Sequence, residues 1–229
     1  MSMQSTEPVV EIKSLRYRYP RSERWAVVIE ALEIKSAEQI VLTGQSGCGK
    51  STLLHLIAGL MNPTSGTIKV QGTNVHALRG SKRDRFRGRH IGMVFQTFQL
   101  LHGFTVVENV YASLMFSELP RRAHRERAMA LLETLGINRP DARIQDLSVG
   151  QQQRVAVARA VACAPSVVLA DEPTAALDPE FAIAAMDLLQ DACRSIGAAL
   201  ICVTHAPSLI ERFDRHHRLE DLVLDRSAV

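Results

Sequence analysis

Apolar and polar positions interleave along the first part of the chain. The segments EIKSLRYRY (11–19) and AVVIEALEIKS (26–36) show this interleaving and are separated by the turn-like YPRSER. Both segments are predicted as β-strands, and GTIKVQG (66–72), which has glycine at each end, is predicted as a shorter one.

Four further segments are continuous apolar runs. They are QIVLT (39–43), IGMVFQ (91–96), SVVLADEP (166–173) and ALICVTH (199–205). Such runs are typical of strands buried on both faces of a parallel sheet. Three of them end in polar residues, which are a glutamine, an acidic pair and a histidine. Strands that deliver polar groups at their carboxyl ends indicate an open α/β nucleotide-binding fold.

Helical patterns lie between these strands. KSTLLHLIAGL (50–60) is predicted as a helix that ends at the turn residues NPTSG. FTVVENVYASLMF (104–116), RRAHRERAMALLETLGI (121–137) and QQQRVAVARAVA (151–162) are predicted as three more. The stretch from about 105 to 160 is therefore predicted to be mainly helical.

Composition indicates a globular protein without a membrane span. The 229 residues are 46% hydrophobic and 22% charged, and the four cysteines show no CxxC spacing that would indicate zinc or a disulfide framework. No apolar run approaches the roughly 18 residues of a membrane helix. The first residues, MSMQSTEPVV, lack the order of a signal peptide. A cytoplasmic protein is expected, which reaches a membrane only through a partner.

Two basic runs raise the possibility of nucleic-acid binding. They are RGSKRDRFRGRH (79–90) and RRAHRER (121–127), and Phe86 is the aromatic residue interleaved with them. The formal net charge of +3 is small. Solvated faces that contact a partner or the membrane surface are the preferred interpretation, and no nucleic acid is expected.

Strand 39–43 runs directly into GQSGCGKST (44–52), which has the pattern G-x-x-x-x-G-K-[ST]. Its glycines let successive backbone N–H groups point inward around phosphate oxygens, while Lys50 bridges the outer phosphates and Ser51 ligates magnesium. Cys48 is interpreted as a passive small residue whose alkylation would hinder nucleotide binding. The residues predicted to bind the nucleotide here are Gly44, Gln45, Ser46, Gly47, Cys48, Gly49, Lys50, Ser51 and Thr52.

Two adjacent carboxylates end the strand 166–173. Asp171 is placed to hold a magnesium ion through its water shell, and Glu172 to orient and deprotonate the attacking water. The alternative is a surface acidic pair that caps the next helix.

LSVGQQQRVAVARA (147–160) supplies a second anion site. Ser148 and Gly150 stand where a helix begins, and a serine-capped helix N-terminus binds anions. Two phosphate-facing sites in one chain, each incomplete, indicate two copies that enclose the same γ-phosphate. With these motifs the chain resembles the nucleotide-binding subunit of an ABC transporter over nearly its whole length.

The resemblance implies further site residues. Gln96 corresponds to the family's Q-loop glutamine, which touches the metal and the water, and His205 to the switch histidine at the γ-phosphate. Asp178 in ALDP (176–179) corresponds to the loop that communicates across the dimer interface. Tyr19 corresponds to the aromatic residue that stacks on adenine, and Tyr17 is the less favoured candidate.

The resemblance also implies an activity and a fold. The expected protein is an ATPase that uses ATP and Mg²⁺, forms a homodimer and drives integral-membrane permease subunits from the cytoplasmic face of the inner membrane. Its catalytic residues are Glu172, His205 and Lys50, its metal ligands Ser51, Gln96 and Asp171, and its signature residues Ser148, Gly150 and Gln151.

The expected class is α/β: a P-loop NTPase core with a mostly parallel sheet, an N-terminal antiparallel β subdomain and an inserted α-helical subdomain. One domain is expected over 1–229. Its catalytic core covers about 1–96 and 161–229, and its helical signature subdomain about 97–160.

One position departs from the family pattern. The signature is usually LSGGQ, and Val149 replaces the first of its glycines. A β-branched side chain excludes a positive φ at that position, which leaves open how strongly ATP drives dimerisation.

One stretch, RHIGMVFQTFQLLHGFTVVENV (89–110), indicates which branch of the family the chain resembles. Its F-x-LL and FT-x-x-ENV are similar to the lipoprotein-releasing and macrolide-efflux ATPases. The cell-division ATPase that signals to a periplasmic partner and the amino-acid importers share parts of this pattern and remain alternatives. The short end LEDLVLDRSAV (219–229) disfavours importer types with C-terminal additions. A soluble ATPase that acts on nucleic acid or ribosomes is disfavoured, because such relatives carry coiled coils, zinc modules or tandem cassettes.

Overall fold

The computed structural model describes residues 7–213 and 215–222. In chain order its strands and helices are β1 (Val10–Tyr17), β2 (Val27–Ile34), β3 (Gln39–Thr43), α1 (Lys50–Ile57), β4 (Ser65–Val70), β5 (Thr73–Asn74), α2 (Ser81–His90), β6 (Ile91–Val94), α3 (Val106–Leu114), α4 (Arg121–Thr134), α5 (Val149–Val161), β7 (Val167–Asp171), α6 (Pro179–Ser195), β8 (Ala199–Val203), α7 (Pro207–Ile210) and β9 (Arg215–Arg218). The predictions drawn from the first residues and from the final segment fall wholly or partly outside the described residues.

The N-terminal strands form an antiparallel sheet in the order β2-β1-β4-β5. Strand β1 pairs with β2 from Val10 opposite Ile34 to Tyr17 opposite Val27. At Ser14, where φ is 47°, the register of β1 against β4 shifts. This bulge restores the buried face after two exposed positions, so that the apolar side chains of β1 continue into the core.

The second sheet has the order β6-β7-β8-β3-β9, and all its pairs are parallel. Every residue of β3, β7 and β8 is buried, which explains their continuous apolar sequences. Strand β9 has the sequence RHHR and lies at the edge, where alternate side chains reach solvent. Because the strands are parallel, their carboxyl ends meet at one edge of the sheet.

Two hydrophobic clusters cover the two faces of this parallel sheet. Alternate residues of β7 join different clusters: Val168 and Ala170 pack with helices α3 to α6, whereas Val167 and Leu169 pack with α1 and the antiparallel sheet. The period of two along a strand therefore divides the core into a helical layer and a β layer.

The FT-x-x-ENV sequence builds the entrance to helix α3. Thr105 and Glu108 form a reciprocal capping box around the first turn. The fully buried Asn109 accepts a hydrogen bond from the Leu101 N–H at 2.7 Å, and its amide donates to the carbonyls of Leu101 at 3.1 Å and Thr105 at 2.9 Å. This motif therefore holds the loop 101–105 in place.

The expected α/β class, with its antiparallel N-terminal sheet, parallel sheet and helical part, is confirmed. The strand predicted over 91–96 ends at Val94, which leaves Gln96 in the following turn. Helix α6 and strand β9 were not predicted. The division of the domain at 96/97 and 160/161 stays a prediction. Within 7–213 and 215–222, no helix has the length and apolarity needed to cross a membrane.

Candidate functional site

The carboxyl ends of β3, β6, β7 and β8 surround a cleft of about 820 Å³. Its lining residues are Tyr19, Ala26, Gly44, Ser46, Gly47, Gly49, Lys50, Ser51, Thr52, Gln96, Asp171, Glu172, Val203 and His205. Twelve of the predicted site residues thus converge on one space, because parallel strands end side by side.

The loop 44–52 packs closely against neighbouring backbone. Gly49 has a φ of 100°, and a Cβ there would lie 2.1 Å from the Ala26 carbonyl oxygen, so no other residue fits. Lys50 Nζ donates to the carbonyls of Gly44 and Gln45, both at 2.9 Å. Helix α1 begins directly after Gly49 with no side chain capping its first turn. The uncapped start of this helix lines the cleft, as in an anion site.

Hydroxyl and carboxylate oxygens meet beside this helix start. The Ser51 hydroxyl donates to Asp171 Oδ1 at 3.0 Å, and the exposed Gln96 lines the same cleft. Among the described residues no cluster of three His, Cys, Asp or Glu side chains is arranged to hold a metal. A hydroxyl plus a single carboxylate fits Mg²⁺, which keeps several waters and takes its other ligands from substrate phosphates.

Glu172 is held in an unusual backbone conformation. Its φ of 46° lies in the left-handed region, and its N–H donates to the Val203 carbonyl at 2.9 Å. Its Oε1 accepts a hydrogen bond from His205 Nδ1 at 2.7 Å. The Glu172 side chain is 14% exposed and that of His205 is 75% exposed. Neighbouring strand ends thus impose a strained turn that aims the carboxylate into the cleft, where such strain commonly serves function.

The two tyrosines at the end of β1 differ in exposure. Tyr19 is 46% exposed, lines the cleft, and its hydroxyl lies 2.7 Å from Thr52 Oγ1. Tyr17 is 8% exposed and packs edge-on against Tyr19 at 5.1 Å between ring centroids. Tyr19 alone of this pair presents a ring face to a ligand in the cleft.

The signature residues lie at the start of α5. Ser148 caps this helix and forms a capping box with Gln151. Val149 is its first helical residue, is 46% exposed and has no positive φ. The β-branched residue therefore fits this position without backbone strain.

Some predicted site residues lie outside the cleft. Gln45 and Cys48 belong to the loop but do not line the space, while Ser148, Gly150, Gln151 and Asp178 stand on other segments. Asp178 is exposed immediately before α6.

Two contacts, one to the end of β3 and one to the loop 44–52, come from residues that sequence patterns did not indicate. The Gln45 N–H donates to Glu220 Oε1 at 2.8 Å, and Thr43 Oγ1 lies 2.6 Å from His216 Nε2. The Gln45 N–H, assisted by the Lys50 charge, lowers the pKa of Glu220. Both contacts follow from the parallel pairing of β9 with β3, which has no local sequence signal.

Comparison with known proteins identifies the family. The profile of the ABC transporter family matches residues 30–175, well over half of the chain. The chain belongs to the ABC transporter family. It is the nucleotide-binding subunit type, an ATPase, as the motifs indicated.

The relatives and solved structures agree with this assignment. The "Lipoprotein-releasing system ATP-binding protein LolD" of Nitrobacter hamburgensis is 38% identical over 217 residues, which cover 93% of this chain and 94% of that protein. LolD of Paramagnetospirillum magneticum is 41% identical, covering 84% and 86%. The dimeric post-hydrolysis structure of the ATP-binding cassette MJ0796, bound to ADP and Pi, has a TM-score of 0.83 at 33% identity, covering 95% and 97%.

Proposed function

We propose that two copies of this ATPase close around two ATP molecules and thereby drive a separate membrane permease of the lipoprotein-release or macrolide-efflux type. One observation carries this proposal. The cleft gathers the loop 44–52, Asp171, Glu172 and His205, whereas Ser148 and Gly150 lie outside it. Each half is incomplete alone, so a second copy is needed to complete it. The dimeric form in which MJ0796 was solved supports this arrangement.

Each copy would bind ATP through its backbone and a few side chains. The N–H groups of the loop 44–52 cradle the phosphates, and Lys50 exchanges its two carbonyl partners for phosphate oxygens. Ser51, Asp171 and Gln96 would hold Mg²⁺, which neutralises charge on the phosphate oxygens. The exposed face of Tyr19 stacks on adenine.

Hydrolysis would depend on the pair Glu172 and His205. The Glu172 carboxylate orients the attacking water and takes its proton, while His205 holds that carboxylate through Nδ1 and lies at the γ-phosphate. The second copy contributes the α5 N-terminus with Ser148, Gly150 and Gln151, whose N–H groups and hydroxyl bind the γ-phosphate. Asp178, exposed ahead of α6, communicates between the two sites.

The permease would dock in a groove beside Gln96. This groove of about 430 Å³ lies between α2, β6, α3 and α5, and Arg87, Phe95 and Phe116 are among its lining residues. Leu60, Met115 and Phe116 are each more than 40% exposed around it. An apolar groove bordered by the paired Asp84 and Arg87 fits a short amphipathic helix of a membrane partner. Such docking would place the ATPase at the cytoplasmic face of the inner membrane.

The relatives and the entrance to α3 support the proposed branch. LolD proteins match nearly the whole chain, and the FT-x-x-ENV residues, which carry part of the similarity to that branch, build the entrance to α3. A permease that moves a periplasmic domain is therefore the preferred partner.

Affinity isolation of the Glu172→Gln protein with ATP from detergent-solubilised membranes tests the proposal. The expected partner is a four-helix permease with a large periplasmic domain. A permease of five or six helices together with a binding protein would instead make this an importer ATPase. Glu180→Gln, a change at an exposed acid, is the control. If neither variant recovers a permease, the proposed coupling is contradicted.

A further inference from the structure

The turn after Gln96 contains two consecutive residues in the left-handed region. Phe98 has a φ of 56° and Gln99 a φ of 50°. Neither is glycine, and such conformations persist only where surrounding contacts enforce them. The turn is tight, since the Phe98 N–H donates to the Phe95 carbonyl at 3.0 Å and the Gln99 N–H to the Thr97 carbonyl at 2.6 Å.

Arg159 on helix α5 supplies the contacts that hold this turn. Its Nη2 donates to the Phe98 carbonyl and its Nη1 to the Gln99 carbonyl, each at 2.5 Å. The guanidinium fork thus grips two successive carbonyls, a bidentate geometry that a lysine ammonium does not reproduce. Partial burial lowers the pKa of Arg159, and the two carbonyls accept hydrogen bonds from its guanidinium.

Some side chains around the turn are buried in the core and others are exposed. Phe98 is 5% and Leu100 7% exposed, and both belong to the helical cluster. Gln96 and Thr97 are exposed, and Gln96 lines the nucleotide cleft. Residues 98–100 are therefore held by the core, and the residues just before them lie toward the cleft.

Arg159 also connects three regions of the molecule. It lies on the helix that Ser148 caps, ten residues beyond the first helical residue, or about 15 Å along the axis. It lines the groove proposed for the permease, together with Phe95. A displacement of α5 must therefore move the carbonyls of Phe98 and Gln99 with it.

We propose that Arg159 is a positioning residue that ties Gln96 to the signature helix, so that Gln96 and Ser148 move as one body when the groove is occupied. This inference rests on the proposed role of Gln96 at the metal and the water. Arg159 acts through the backbone of the turn and does not line the nucleotide cleft.

The test compares Arg159→Lys with Arg154→Lys. Arg154 stands on the same helix and donates to the Leu135 carbonyl at 3.1 Å, away from the turn, so it is a matched control. Arg159→Lys is expected to lower ATP turnover by about tenfold, the loss of one charge-assisted hydrogen bond, with the KM for ATP unchanged. Hydrogen exchange at the amides of 97–99 should rise in Arg159→Lys and stay unchanged in Arg154→Lys.

A double-mutant cycle with Gln96→Ala distinguishes this inference from the proposed function. If Arg159 acts through Gln96, Arg159→Lys has no further effect on turnover in the Gln96→Ala background. Additive losses, or equal exchange in the two lysine variants, would overturn the inference. Wild-type turnover in Gln96→Ala alone would instead refute the proposed role of Gln96.

Gln99→Gly keeps the proposal testable should Arg159→Lys alone fail to fold. Glycine adopts a φ near 50° without strain, so residue 99 no longer needs the guanidinium to hold its conformation, whereas Phe98 still does. In the Gln99→Gly background Arg159→Lys is expected to fold and to recover part of the lost turnover. An undiminished loss of turnover in this background would show that Arg159 does not act by holding the left-handed turn.

Discussion

The substitution Glu172→Gln should separate ATP binding from ATP hydrolysis. It exchanges one carboxylate oxygen for an amide group of the same shape. The N–H of residue 172 still donates to the Val203 carbonyl, and the remaining oxygen still accepts from His205 Nδ1. The Ser51–Asp171 pair is unchanged. ATP affinity should therefore stay within about twofold of wild type, as for substitutions that leave contacts intact.

Hydrolysis should fall steeply because an amide cannot accept the proton of the attacking water. A positioned general base contributes roughly 10²–10⁴ in rate. At 1.36 kcal/mol per factor of ten, this corresponds to about 2.7–5.4 kcal/mol of the activation free energy. The partly buried position of the carboxylate, 14% exposed, limits replacement by bulk solvent as the base. We expect turnover at least about a hundredfold below wild type.

Phosphate release at saturating Mg²⁺-ATP measures the turnover, and equilibrium dialysis measures the affinity. Glu180→Gln, in the exposed first turn of α6, is the control and should match wild type in both assays. Light scattering should show the Glu172→Gln protein as a dimer with ATP, since bound ATP is not consumed. Wild-type turnover in Glu172→Gln would refute the role assigned to this carboxylate.

Three further outcomes follow from the site and its support. Tyr19→Ala should weaken ATP binding by about tenfold, within the ~1–3 kcal/mol of base–aromatic stacking, while Tyr19→Phe stays near wild type in a fluorescence competition assay. Burial raises the pKa of Cys48 above its ordinary 9.0, so its iodoacetamide alkylation rate should keep rising above pH 9.0 and should fall when ATP is bound; a plateau below that pH would contradict this. Asn109→Ala removes three hydrogen bonds at a fully buried site and should lower the free energy of unfolding by about 1–3 kcal/mol in urea titrations. The exposed Asn62→Ala is its control and should change stability by no more than about 0.5 kcal/mol.

Regular elements were predicted well where the pattern was strong. The apolar runs at 39–43, 167–171 and 199–203 became strands buried at every residue, and the helical spacing at 121–134 became α4. The strand at 91–96 was predicted two residues too long, because Phe95 continues the apolar run although the chain turns after Val94.

Strand β9 was missed for a different reason. Its sequence RHHR has no apolar residue, yet it pairs with β3 from Ile40 opposite Arg215 to Thr43 opposite Arg218. An edge strand buries only one side against its neighbour, so hydrogen bonding to β3 suffices to form it. Hydrophobic periodicity cannot detect such a strand.

The sequence by itself determined the class of chemistry in this protein. The loop 44–52, the carboxylates at 171–172 and the signature at 147–151 are contiguous patterns, and their phosphate and metal chemistry depends on residues adjacent in the chain. The parallel core followed from the apolar runs, because burial on both faces demands them.

Only the tertiary structure decided how these motifs are held. Because β9 lies beside β3, Glu220 reaches the loop and His216 reaches Thr43 at the end of β3. Arg159 reaches the turn at 98–99 because α5 packs against that segment. The left-handed φ of Glu172 likewise comes from its N–H bond to Val203 on the neighbouring strand. Each of these contacts joins residues more than 30 positions apart. Each contact depends on one or two hydrogen bonds, which impose no periodic pattern on the sequence. These contacts therefore form only once the strand order and the helix packing bring the residues together.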